Sequence, residues 1–306
     1  MNIDTQQLDE TTKHKIIEEA ARRGNLDDLK HIIQEQITDT NYDIVELAAK
    51  YGHLNIIKFM FEHDTDDNKY SSLALALAAQ HGHLELVVYL VENGVNIHTY
   101  GNYAIVASAQ QGYLPIVKYL VEKGADIHTD NESAIRESVY HGHIQIVKYL
   151  IEKGADIHVD DDYVLILCAA NGHLHIIKYL VKEYNIDVCA EDDLALRISA
   201  TNGHIHVVQY LVKQHGADIH ANDNDALRSA AKNGHYDIVV YLVDLKADIH
   251  TSFDEALRYS AINGHIDIVI HLVDHGADIS AIGEQTLRSI NTNGHTDIIN
   301  YLYGLK

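Results

Sequence analysis

Glycine recurs at Gly24, Gly52, Gly82, Gly112, Gly142, Gly172, Gly203, Gly234, Gly264 and Gly294. The first spacing is 28 residues, two are 31 and the other six are 30. A fixed period of this length marks a chain built from one small unit repeated, in which each copy packs on its neighbours. The residue after the glycine is His in eight of the ten copies, Asn25 and Tyr113 being the exceptions.

Aligned on that glycine, the copies agree at further positions. Seven residues before it stands a branched aliphatic: Ile17, Val45, Leu75, Ile105, Ile135, Leu165, Leu196, Leu227, Leu257 and Leu287. Four before it the side chain is small until the last copy, as in Ala78, Ser108, Cys168 and Ser260. Offsets of three and four share one helical face, so this half predicts a first helix, A, that another helix can approach closely. After the glycine, apolar residues fall two, four, five, eight and nine places on, as in Ile144, Ile146, Val147, Leu150 and Ile151. That spacing predicts a second amphipathic helix, B, of about three turns. A glycine such as Gly124, Gly154 or Gly276 then supplies a left-handed C-cap.

The segments GHIQIVKYLIEKGADIH (Gly142 to His158) and GHIDIVIHLVDHGADIS (Gly264 to Ser280) resemble the second half of an ankyrin repeat. The resemblance implies an all-α, ankyrin-type solenoid of about ten helix-turn-helix repeats, with a palm formed by the A helices and used for protein–protein recognition. The period falls about three residues short of the usual 33, and the T-P-L-H-x-A motif is missing. The shortened turns leave no room for long projecting fingers, which favours the palm. This short-loop form with its GADIH ending is similar to ankyrin proteins encoded in large numbers by giant DNA viruses. Residues 1–9 are expected to be a flexible N-terminus and residues 10–306 a single solenoid.

The formal net charge is -22, from 23 Lys and Arg against 45 Asp and Glu. Such a surface disfavours nucleic acid and anionic membranes. It favours a protein partner with a basic and apolar patch, although solubility of a monomer accounts for the charge slightly better. Two cysteines, Cys168 and Cys189, make no disulfide framework and suit a reducing compartment such as the cytoplasm. No run of about 18 apolar residues is present to span a membrane.

Three ladders invite chemical readings. Tyr89, Tyr119, Tyr149, Tyr179, Tyr210, Tyr241 and Tyr301 stand seven places after the glycine. Each meets its own copies above and below, so packing between B helices with hydroxyls in water is the expected role. Histidine, 23 in all, forms two further ladders: one after the glycine and one at His98, His128, His158, His220 and His250, with Cys189 in register. Zinc donors must converge on one point, whereas equivalent side chains of adjacent repeats lie about 8–10 Å apart. Hydrogen bonding of loops is therefore expected, with no metal and no cofactor. Arg136, Arg197, Arg258 and Arg288 follow an acid by four residues, which predicts intrahelical ion pairs at the start of helix A. No phosphate-binding glycine loop or G-x-S-x-G elbow is present, so an enzyme is not expected.

Function then falls to residues that break the register. The turn before helix A and the two positions before the glycine face the palm or its rim by family resemblance. Expected binding residues are Tyr100, Tyr103, Tyr140, Tyr163, Phe253, Tyr259 and Ile262, with an acidic rim of Asp160, Asp161, Asp162, Glu191, Asp192 and Asp193. Leu194 and Ile282 are expected at turn tips. The alternative is a structural or self-assembling component with no dedicated client.

Overall fold

A computed structural model describes residues 10–33, 41–63 and 70–305. Among them every regular element is helical, and the helices fall into ten pairs. Two compact units are present, Met1–Asp156 and Ile157–Lys306.

In the first unit the A helices are α1 (Glu10–Arg23), α3 (Asn41–Tyr51), α5 (Ser71–Gln80), α7 (Thr99–Gln110) and α9 (Thr129–Tyr140). Their B partners are α2 (Leu26–Ile33), α4 (Leu54–His63), α6 (Leu84–Glu92), α8 (Leu114–Glu122) and α10 (Ile144–Glu152). The second unit repeats the plan. Its A helices are α11 (Val159–Ala170), α13 (Ala190–Thr201), α15 (Ala221–Asn233), α17 (Thr251–Ile262) and α19 (Glu284–Thr292). The B helices are α12 (Leu174–Tyr184), α14 (Ile205–His215), α16 (Tyr236–Asp244), α18 (Ile266–Asp274) and α20 (Thr296–Gly304). Within each unit an A helix packs on its own B helix and on the A helices of adjacent repeats.

The register residues make the core. Leu75, Ile135, Leu196, Leu227 and Leu257 are fully buried seven places before the glycine. Burying one such side chain contributes about 1.5–3 kcal/mol. The small residues four places before it are buried as well, and where they are serine the hydroxyl donates into its own helix, as Ser138 Oγ does to Ile135 O at 2.8 Å. In helix B the residues four, five and eight places after the glycine are buried, as with Ile146, Val147 and Leu150. Those two and nine places on, Ile144 and Ile151, are only half-buried. Leu287 departs from its ladder by being half-exposed, and Ile290 fills the small-residue place beside it.

The turn entering helix A differs from a helical first turn. At residues 100–102, 130–132, 191–193, 222–224 and 252–254 three successive residues have φ between 47° and 65°. This left-handed region costs L-residues roughly 1–2 kcal/mol each. Buried polar side chains hold it in place. Asn102, Glu132, Asp193, Asn224 and Asp254, each ten before the glycine, are buried. Asn102 Oδ1 meets His98 Nδ1 at 2.7 Å and accepts from Asp126 N at 3.3 Å in the next repeat. Asn224 does the same with His220 at 3.0 Å and Asp248 N at 2.9 Å. Asp254 pairs with His250 at 3.1 Å and accepts from Asp278 N at 2.9 Å. One side chain thus fixes its own turn and ties it to the following one.

This geometry corrects the expected intrahelical pairs. Glu284 and Arg288 do pair, at 2.9 Å on an exposed surface. Asp193 and Asp254 instead lie buried in left-handed backbone, off the helical register, and Glu132 hydrogen-bonds His128. Arg197 turns to Asp225 of the next repeat at 3.0 Å, and Arg228 to Glu255. The expectation for Ile282 is also corrected: it is buried at 6% exposure, because the 3-10 turn Ile279–Ala281 replaces the left-handed turn there.

Candidate functional site

With the core register consumed, the A helices keep one outward face, formed nine, six, five and two places before the glycine, with Ala76 and Ala107 the buried exceptions on α5 and α7. What that face carries changes along the chain. In the first unit it presents Leu47 on α3, Leu73 and Leu77 on α5, and Tyr103 and Val106 on α7. In the second unit α11 presents Tyr163, Ile166 and Leu167, and α13 presents Leu194 and Ile198. All of these are at least partly exposed, and α11 packs against α13. Past them the same places hold charge. Arg197 and Arg228, each only about one-fifth exposed, alternate with Asp225 and Glu255. Arg228 also meets Asp225 at 3.5 Å.

The expected binding residues are distributed unevenly over this surface. Phe253 is 85% exposed and Tyr100 65%, both at turn tips. Tyr103, Tyr140 and Tyr163 are exposed to lesser degrees. Tyr140 packs edge-on against His141, with centroids 4.9 Å apart. Tyr259 and Ile262 are half-buried on α17, and the Lys232 ammonium lies 5.2 Å from the Tyr259 ring centre. Glu191 and Asp192 are exposed. Asp193 is not part of an exposed rim: it is 7% exposed, since the left-handed turn points it inward. The side chains of Asp160, Asp161 and Asp162 lie outside the described residues.

Ile166, Leu167 and Ile198, with Leu47, Leu73 and Leu77, are absent from the residues expected to bind. Their signal was positional. Five and six places before the glycine, other repeats carry Arg136 and Glu137, or Arg228 and Ser229. Apolar residues on an A helix look like core until the turn geometry shows which face the stack consumes.

The ladders are structural. Nε2 of His53, His83, His143, His204, His235 and His265 lies 2.8–3.1 Å from a backbone carbonyl of the preceding repeat. Each ring also covers the preceding glycine. A Cβ on Gly112 would stand 2.7 Å from His143 Cε1. Tyr113 fills the same place against Gly82. Lysines interleave with the tyrosines: Lys58 over Tyr89 at 5.2 Å, Lys118 over Tyr149 at 5.5 Å and Lys178 over Tyr210 at 5.4 Å. Burial pushes the pKa values of Tyr89, Tyr119, Tyr149, Tyr210 and Tyr241 up. Not every hydroxyl reaches water, as had been expected. Those of Tyr149 and Tyr241 are buried with no hydrogen-bond partner.

Burial holds Cys168 well above the ordinary thiol range, and burial followed by the neighbouring Asp193 pushes Cys189 up to about 11. Among the described residues no group of three His, Cys, Asp or Glu side chains is placed to hold a metal ion. No helix there is long and apolar enough to cross a membrane.

Paired helices in period, turns tied to the next repeat and an outward A-helix face define a helical repeat protein. The model of the family described as ankyrin repeats matches residues 17–100, 97–161, 165–253 and 227–306. The chain belongs to the ankyrin-repeat family, whose members generally mediate protein–protein interactions. A search of curated proteins finds no match.

Proposed function

We propose that the protein is a non-catalytic scaffold or adaptor that binds a partner protein on its A-helix face. The observation that carries this reading is the apolar surface of Tyr163, Ile166, Leu167, Leu194 and Ile198, left partly exposed on helices whose core stripes are buried. Exposed aromatic and aliphatic anchors are typical of protein recognition. Glu191 and Asp192 border α13, so the partner best suited here carries Lys or Arg beside an apolar side chain. The free thiols Cys168 and Cys189 fit a reducing, cytoplasmic setting. The shortened turns and the GADIH endings support, as part of this reading, a likeness to the ankyrin proteins of giant DNA viruses.

The test is affinity purification from the native cell with three baits, followed by mass spectrometry. The wild type is expected to recover a partner that Ile198→Glu loses and Lys182→Glu, on the B-helix side, retains. Recovery by Ile198→Glu together with loss by Lys182→Glu would place the interface elsewhere.

A further inference from the structure

Arg197, Arg228 and Arg258 hold the same place on three successive A helices, α13, α15 and α17. Each guanidinium reaches back to carbonyl groups of its own left-handed turn. Arg197 Nη1 lies 3.5 Å from Glu191 O and from Asp192 O. Arg228 Nη2 donates to Asn222 O at 3.2 Å. Arg258 donates through Nε to Phe253 O at 3.0 Å and through Nη2 to Ser252 O at 3.1 Å. In the first two repeats a carboxylate from the start of the next A helix also engages the fork: Asp225 for Arg197 and Glu255 for Arg228.

The third position lacks that carboxylate. The residue in register with Asp225 and Glu255 is Gln285, exposed on α19, and Arg258 forms no ion pair among the described residues. Two of its five N–H donors are used. The remaining donors belong to a planar fork already oriented by the turn, and that geometry suits a carboxylate. Phe253, at 85% exposure, and the half-buried Tyr259 lie on the same helix and turn.

We propose that Arg258 is an acceptor slot for an Asp or Glu side chain of the partner protein, with Phe253 packing against the apolar residue beside that acid. The molecule itself demonstrates the occupant twice, in Asp225 and Glu255. The inference rests on the A-helix face being the recognition face. It adds a requirement that the net charge of -22 conceals: the partner is acidic opposite α17 and basic opposite the α13 turn.

The test uses the full chain and a probe, the acetylated and amidated peptide Gly-Leu-Glu-Leu-Gly, with its Gln counterpart as control. The Arg258 Nε–H resonance, assigned by its loss in Arg258→Lys, is followed by NMR. The Glu peptide is expected to shift it saturably and to bind about tenfold more tightly than the Gln peptide, as a charge-assisted hydrogen bond requires. Gln285→Glu fills the slot from within, so it should move the resonance in the same direction and weaken the Glu peptide about tenfold. Equal titration by both peptides, no shift with either, or unchanged affinity in Gln285→Glu would overturn the proposal. Native partner kept by Arg258→Gln and lost by Ile198→Glu would refute this slot alone.

Discussion

The His-on-glycine rung predicts a specific coupling between Gly112 and His143. Gly112 turns α7 into α8 at φ +84°, and the His143 ring lies where its Cβ would stand, Nδ1 at 2.9 Å and Cε1 at 2.7 Å. The His143 Nε2 also meets Gln110 O at 2.9 Å. Gly112→Ala therefore brings two costs. The left-handed conformation costs about 1–2 kcal/mol for any L-residue. Displacing the ring removes a hydrogen bond worth about 1 kcal/mol, with further loss of packing. The sum, about 3 kcal/mol, corresponds to roughly a hundredfold rise in local opening. In a His143→Ala background only the backbone cost remains, so the double-mutant cycle should return a coupling of at least about 1 kcal/mol. Native-state hydrogen exchange of α7 to α10, read by mass spectrometry, measures the local opening. Gly124→Ala is the control: φ is +92° but nothing lies within 4 Å, so it should cost about 1–2 kcal/mol with no coupling to His143. Additivity of Gly112→Ala and His143→Ala, to within about 0.3 kcal/mol, would refute the rung.

Three other outcomes follow from single sites. Cys189 occupies the place that His98, His220 and His250 fill elsewhere, and Asp193 Oδ1 is buried without a hydrogen-bond partner. Cys189→His should stabilise the second unit by about 1 kcal/mol, visible as a higher melting temperature. Tyr149→Phe and Tyr241→Phe each remove a buried, unpartnered hydroxyl. They should leave thermal stability unchanged or raise it by up to about 1 kcal/mol, and a clear loss would show that the hydroxyls are bonded. His128 has its pKa raised first by the hydrogen bond to Glu132. Its contribution is then fully present below the unfolded value of about 6.5 and lost as pH rises through the higher folded value. Urea titrations should find His128→Gln more damaging at about pH 5.5 than at about pH 8.5.

The period made the helix pairs legible because the same solution is written ten times, and errors in one copy are corrected by the others. Leu196 and Ser199 could be placed in the core from spacing alone, and both are buried. The turns resisted the same reasoning. Pairing Asp193 with Arg197 assumes helical backbone at both, and φ at Asp193 is +55°. The true partner of Arg197 is Asp225, 28 residues on, a distance that no local rule spans. The histidine ladders were recognised as structural from their periodicity. The carbonyl each one meets was hidden because backbone groups leave no trace in the sequence. Phe253 was legible as a turn-tip aromatic, whereas no register rule singled out Ile198.

Stability and sequence variation draw on different places in the repeat. Truncating a fully buried residue such as Leu196 removes core packing at about 2–5 kcal/mol. Exposed places away from such packing generally change stability by no more than about 0.5 kcal/mol. The outward face shows that latitude in use. The place six before the glycine is Ile166 on α11, Arg197 on α13 and Arg258 on α17. It contributes an apolar surface, an internal ion pair and an open guanidinium in turn. All three sit on helices with the same buried stripe, so the backbone does not dictate what the face presents. What distinguishes the repeats is therefore written in the residues by which they differ on this face, and Arg258 marks the place where the internal carboxylate ladder of Asp225 and Glu255 stops at Gln285.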